Sequence, residues 1–210
     1  KIKNKKNFDF IRIEGKNFIN PINYKIPSDI SSGAFFIVLT TLSKNSKLNL
    51  KNININPSRI GIIKILKKMG VIIKINNLRM YKGERIADIY IESKNSLKPI
   101  KLPPKLNSSC IDEFLLIFLL AARAKGVSYF RNLSELNQKE SPRLIWGSKI
   151  LNKMGIKTIL SKDSIKIYGK PDNEIKKKIV IKGFLKDHRV FMTSVIAGLT
   201  FGGEWKIYDK

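Results

Sequence analysis

An internal repeat constrains the fold more than any other feature of this chain. Ile65-Leu66-Lys67-Lys68-Met69-Gly70-Val71 returns as Ile150-Leu151-Asn152-Lys153-Met154-Gly155-Ile156. Such self-similarity marks a supersecondary unit used more than once. Each copy ends an amphipathic helix on Gly, which takes the left-handed cap conformation without a Cβ penalty, and then enters a β-branched run. The first copy opens at Asn56-Pro57-Ser58-Arg59 and the second at Glu140-Ser141-Pro142-Arg143. Both predict Pro in the first helical turn, behind a side-chain cap.

A more apolar helix precedes each of these. Ile30 to Leu42 leads into a strand from Lys47 to Ile53, and Ile111 to Lys125 ends at Gly126 before a strand from Val127 to Asn132. A third runs from His188 to about Phe201, then Gly202-Gly203 and a strand from Glu204 to Tyr208. Alternating strands are expected after the Met-Gly helices: Val71–Ile75, Leu78–Tyr81 and Ile86–Ile91, then Ile156–Leu160, Ser164–Tyr168 and Lys178–Ile181. Asn76-Asn77, Lys82-Gly83 and Lys162-Asp163 predict tight turns between them. The pattern is helix, strand, helix, strands, with the third copy unfinished, and it predicts an α+β domain of repeated units. Phe8 to Glu14 alternates like a strand, and breaks at Asn20-Pro21 and Ile26-Pro27-Ser28 set residues 1–26 apart as part of a neighbouring domain. Because the chain opens at Lys1 rather than Met, it reads as a fragment.

Composition narrows the function. Lys plus Arg number 41 against 16 Asp plus Glu, a formal charge of +25 that invites a nucleic-acid reading. The lysines, however, are spread along the whole chain among Asn and Ile. No helix-turn-helix signature, zinc spacing or aromatic strand motif accompanies them. A basic nucleic-acid-binding module therefore stands as an alternative only. A hydrophobic fraction of 43% suffices for a packed core. The longest strictly apolar run, Phe114 to Ala122, is far short of the roughly 20 residues that cross a bilayer. Cys110 is the single cysteine, so no internal disulfide forms and a reducing, cytoplasmic setting is expected. Beside an apolar helix it reads as a small buried thiol. One His and one Cys exclude a structural zinc site.

Three polar clusters fall at the starts of helices. Asp112-Glu113 opens an apolar helix, where an acid serves the helix dipole or meets a substrate. Lys139-Glu140-Ser141-Pro142-Arg143 is either a charged capping sequence or an anion site in which Arg143 makes a bidentate contact. Asp187-His188-Arg189 holds the only His, structural or functional, beside a second arginine suited to phosphate or carboxylate. Together they place acids and arginines at equivalent helix ends, the makings of one site for an anionic substrate.

In order, Pro27-Ser28-Asp29-Ile30-Ser31-Ser32-Gly33-Ala34-Phe35-Phe36, Asn56-Pro57-Ser58-Arg59, Ile111-Asp112-Glu113, Lys139-Glu140-Ser141-Pro142-Arg143 and Asp187-His188-Arg189 resemble the 5-enolpyruvylshikimate-3-phosphate synthase family over nearly the whole chain. The resemblance implies a lobe of repeated βαβαββ units, an inside-out α/β barrel. Residues 1–26 would be the end of an N-terminal lobe plus the hinge strand. Residues 27–210 would be a C-terminal lobe with units of about 27–100, 101–182 and an incomplete 183–210. It implies transfer of the enolpyruvyl group of phosphoenolpyruvate to the 5-hydroxyl of shikimate 3-phosphate, with no metal and no cofactor. The implied partners are those two substrates and the missing N-terminal lobe, with no nucleic acid and no membrane, in a monomeric full-length enzyme. By similarity Asp112 binds the shikimate hydroxyls and accepts a proton, and Lys139 contacts shikimate 3-phosphate near the transferred group. Glu140 shuttles a proton at the methylene carbon, Arg143 and Arg189 bind phosphoenolpyruvate, and His188 assists. The sequence departs from the family at Pro142, where many relatives have Asp, and at Asn137-Gln138, where Arg-Val is common. The sister enzyme, UDP-N-acetylglucosamine enolpyruvyl transferase, is the nearest alternative, but lacks this pairing of Lys-Glu-Ser-x-Arg with Asp-His-Arg. Without the other lobe's contacts, the chain alone is expected to be inactive.

Overall fold

In a computed structural model of the 210-residue chain, residues 2–5, 8–15, 18, 20–94 and 96–208 are described. Lys1, Lys6, Asn7, Lys16, Asn17 and Ile19, all within the segment read as a neighbouring lobe, lie outside the described residues.

Three helices occupy the core: α1 (Ile30–Leu42), α3 (Phe114–Arg123) and α5 (His188–Phe201). Every residue of Phe114 to Ala122 is buried, the mark of a helix packed on all sides. Two buried hydroxyls of the neighbouring helices are satisfied within their own helix, while that of Thr193 in α5 has no hydrogen-bond partner. Thr41 of α1 donates to the Ile37 carbonyl at 2.8 Å and Ser194 of α5 to the Val190 carbonyl at 2.7 Å. The three helices touch one another pairwise. Phe118 and Phe130 meet at 5.4 Å between ring centroids and Phe114 meets Phe118 at 5.8 Å. Each such fully buried ring stabilises the fold by about 1.5–3 kcal/mol.

Around these helices run two three-stranded sheets of the same design. The first is ordered β3 (Lys47–Asn54), β5 (Glu84–Glu92), β4 (Ile73–Tyr81), with both outer strands antiparallel to β5. The second is ordered β6 (Val127–Phe130), β8 (Ile165–Tyr168), β7 (Thr158–Leu160), again antiparallel to the middle strand. Parallel pairings then bracket each core helix. Ser28 bridges Ile53 across α1, Lys101 bridges Tyr129 across α3, and β9 (Lys178–Ile181) pairs with β10 (Glu204–Ile207) across α5. Each core helix is thus the crossover of a parallel strand–helix–strand connection, which fixes its direction. The result is an α+β fold.

Two amphipathic helices, α2 (Gly61–Lys68) and α4 (Arg143–Lys153), cover this core. Both end as expected: Gly70 and Gly155 take φ of 88° and 79°, and Val71 and Ile156 donate back to Leu66 and Leu151 at 3.0 Å. Ahead of α1, β1 (Ile2–Lys5) and β2 (Phe8–Ile11) pair antiparallel. Tyr24 packs on Tyr81 of β4 at 5.3 Å. Among the described residues no helix is long and apolar enough to cross a membrane.

Several local expectations change. Pro57 lies in a turn before α2, and Pro142 is the N-cap of α4 rather than a first-turn residue, with no side-chain cap at either start. Asn56 instead holds the turn by accepting from the Ser58 N–H at 3.0 Å. The two strands expected on either side of Asn76-Asn77 are one strand, β4. Its register shifts between Asn76 and Arg79, a bulge made possible by Asn77 at φ 52°. The helix expected from Ile111 begins as a 3-10 turn over Ser108–Glu113, kinked at Cys110, before α3 proper. Finally, β9, expected among the strands that follow the second Met-Gly helix, pairs with β10 across α5 and not with β6, β7 or β8.

Candidate active site

The start of α5 reaches the start of α3: Arg189 Nη1 donates to the Asp112 carbonyl at 2.9 Å. At their far ends Arg123 of α3 lies 4.2 Å over the Phe201 ring of α5 and donates to the Thr200 carbonyl at 2.6 Å. These helices therefore run parallel, with their N-termini at one end. The first turn of α1 joins them there. Arg59 binds Asp29 at 3.3 Å and the Ser31 hydroxyl at 2.9 Å beside a cleft of about 180 Å³ that also meets Ser108, Asp112 and Glu113. Converging helix N-termini present free N–H groups and partial positive charge, which favour anions. Carboxylates of the chain itself take two of them: Asp29 accepts from the Ser32 N–H at 2.8 Å and Asp187 from the Arg189 N–H at 2.9 Å.

Arg143, first residue of α4, is the centre of the cluster. Its side chain is 2% exposed, and its guanidinium is divided among three acids. Nε donates to Asp187 Oδ2 at 2.9 Å, Nη1 to Asp112 Oδ1 at 3.4 Å, and Nη2 to the Glu140 carboxylate. Asp187 is fully buried and also accepts from the Ser141 hydroxyl at 2.8 Å. Burial alone would raise its carboxyl pKa. The Arg143 and Ser141 hydrogen bonds, the Arg143 charge and the Arg189 N–H outweigh that and hold it below the ordinary aspartate range.

Arg189 forms the second half. Besides the Asp112 carbonyl, it lies 3.6 Å from the Asp112 carboxylate and 3.9 Å from Glu113 Oε1. Asp112, half-buried between two guanidiniums, can accept a hydrogen bond from a hydroxyl or take its proton. Glu113 is 2% exposed, and its Oε1 has no hydrogen-bond partner. Burial pushes its carboxyl up and the Asp112 charge adds to this, against the Ser31 hydroxyl, Arg189 and Arg59.

The remaining expected residues rim this cluster. Lys139 pairs with Glu135 at 3.1 Å, Glu140 is exposed, and His188 is exposed at the start of α5. Asp112, Glu140, Arg143 and Arg189 are linked by ion pairs through Arg143 and Asp112, whereas among the described residues no side-chain hydrogen bond or ion pair joins Lys139 or His188 to them. The buried Cys110 thiol, pushed up to about 12 by burial and then by Glu113, donates to the Leu106 carbonyl and is no nucleophile at neutral pH. Among the described residues, no three His, Cys, Asp or Glu side chains group as a metal site requires. Sequence reasoning held Asp187, Ser141 and Glu113 only as members of the three helix-start clusters, without a role of their own, and Asp29 and Arg59 only within the motifs of the resemblance. The pairings themselves, Asp29 with Arg59 and Asp187 with Arg143, span 30 and 44 positions and have no local signal.

The EPSP synthase (3-phosphoshikimate 1-carboxyvinyltransferase) family matches the chain over residues 1–210. The 3-phosphoshikimate 1-carboxyvinyltransferase of Ruthia magnifica subsp. Calyptogena magnifica is 41% identical over 185 residues, covering 88% of this chain and 42% of that protein. That of Syntrophomonas wolfei subsp. wolfei is 36% identical over 200 residues, covering 95% of this chain and 46% of that one. The structure of EPSP synthase from Acinetobacter baumannii superposes on the whole chain with a TM-score of 0.87 at 34% identity, using 47% of that protein. The enolpyruvyl transferase NikO from Streptomyces tendae shares the fold, with a TM-score of 0.60 at 16% identity. The chain thus spans less than half the length of the curated relatives it matches. On sequence and on fold, it belongs to the EPSP synthase family.

Proposed function

We propose that this chain supplies the C-terminal lobe, residues 27–210, of an enzyme that transfers the enolpyruvyl group of phosphoenolpyruvate to the 5-hydroxyl of shikimate 3-phosphate and releases phosphate. The observation that carries the reading is the sharing of Arg143 and Arg189 by Asp112 at converging helix N-termini. Residues 1–26 end the other lobe and form the hinge strand. The lobe is an inside-out barrel of βαβαββ units, with a third unit incomplete. The enzyme works in the cytoplasm as a monomer, on small molecules and without a cofactor.

The reaction adds the acceptor oxygen to C2 of phosphoenolpyruvate and a proton to its methylene carbon, then expels phosphate as the resulting methyl group loses a proton. Arg189 and Arg143 hold the carboxylate and phosphate of phosphoenolpyruvate, and Lys139 holds shikimate 3-phosphate. Asp112 takes the proton of the attacking hydroxyl, and His188 assists at the rim. Glu140 moves the proton at the methylene carbon. Its present hold on Arg143 gives this a trigger: an arriving anion displaces Glu140 from the guanidinium, while Asp187 keeps Arg143 in place. The freed Glu140 carboxyl is then within reach of the methylene carbon for the proton transfer.

Acceptor competition tests the assignment. The chain is combined with the amino-terminal part of the Ruthia magnifica relative and supplied with phosphoenolpyruvate. Phosphate release is expected with shikimate 3-phosphate and not with UDP-N-acetylglucosamine. The reverse preference overturns it.

A further inference from the structure

Glu113 has no part in the scheme above, yet it is the acid most enclosed in the cluster after Asp187. Its Oε1 accepts no hydrogen bond. It stands 3.9 Å from Arg189 Nη1, too far to bond, while that same nitrogen donates to the Asp112 carbonyl at 2.9 Å. A buried carboxylate with a bare oxygen is costly, and a guanidinium this near would swing to meet it. The arrangement fits a neutral acid. Its other neighbours are Ser31 from α1, Arg59 from the turn before α2, and Asp112 and Cys110 from its own turn.

We propose that Glu113 is a positioning residue for the anion site: as a neutral acid it leaves the Arg189 guanidinium to a bound anion, and as a carboxylate it claims that guanidinium for itself. This rests on the reading of Arg189 as an anion holder. The sign follows from linkage. An anion on Arg189 repels a Glu113 carboxylate, so binding favours the protonated form and draws in a proton. With the Glu113 carboxyl raised by burial, anion affinity is full in mild acid and declines as pH rises through that raised value.

Sulfate is the probe, because its charge does not change over the range used. It is titrated into the 210-residue chain carrying His188→Gln, which removes the chain's single imidazole. A coupling of one pKa unit weakens sulfate binding by about tenfold from well below the raised Glu113 value to well above it. Glu113→Gln in this background is expected to hold the tighter affinity at both ends of the range. An unchanged pH slope in Glu113→Gln overturns the proposal. Should that variant fail to fold, calorimetry of the parent in buffers of different ionisation enthalpy gives a second reading. Net proton uptake on sulfate binding supports the proposal, and none refutes it. A merely structural Glu113 would move neither readout. Arg189→Met separates the two layers. If sulfate binds equally well without Arg189, or does not bind the parent, the anion-site reading itself fails and this proposal with it.

Discussion

Of the three carboxylates that share Arg143, only Asp187 never meets solvent. Removing one partner of a buried pair leaves the other charge uncompensated, so Asp187→Asn is expected to destabilise the chain by about 3 kcal/mol in urea unfolding at neutral pH. The pH dependence has a definite sign. The carboxyl is lowered in the fold, so its contribution is present above the ordinary value of 3.8 and lost as pH falls through the lower folded value. The gap between parent and variant should close in acid below that point, and a constant gap would refute the assignment. At this scale the sequence showed the charges and hid the pairings. Asp112, Glu140, Arg143 and Arg189 were legible because each sits at the start of a helix, where a charge has a local physical role. The bond from Arg143 to Asp187 spans 44 positions and exists only because α4 and α5 pack together.

Elements carry the site through their ends. The 3-10 turn at Ser108–Glu113, which presents Asp112 and Glu113, lies directly on the start of α2. A Cβ on Gly61 would come within 2.7 Å of the Ser109 carbonyl carbon and 2.7 Å of Cys110 Cβ. Gly61→Ala therefore forces backbone to move, at a cost of about 1–3 kcal/mol, read as a lower urea midpoint. An undiminished midpoint would show that the turn is free to shift. The core helices and the Met-Gly helix ends were legible from apolar periodicity and from Gly. The kink at Cys110 was not, because it answers to α2 and not to its own neighbours. The bulge in β4 was missed for a related reason: Asn76-Asn77 has turn chemistry, and pairing with β5 on both sides keeps the strand continuous. Alternation placed β9 correctly but could not tell a strand that closes one sheet from one that opens the next pairing.

Across the whole molecule, three parallel crossovers aim three helix N-termini at one place, and the far ends of α3 and α5 are tied by Arg123. That clamp is itself testable. Arg123→Met leaves the Thr200 and Pro171 carbonyls without their donor and should destabilise the chain by about 1–3 kcal/mol, visible in thermal unfolding, while sulfate binding at the opposite end persists. Lost sulfate binding in a folded variant would mean that the clamp sets the site's geometry as well. The dispersed +25 charge contributes little to this architecture. The cations that matter are the few held among acids at the helix starts. The most direct measurement is phosphate release from phosphoenolpyruvate and shikimate 3-phosphate, by the chain alone and by the chain combined with the amino-terminal part of a relative, with Asp112→Asn in parallel. The account predicts release only from the combination, with kcat reduced by about 10²–10⁴-fold by Asp112→Asn. Release by the chain alone, or an Asp112→Asn combination as fast as its parent, would contradict it.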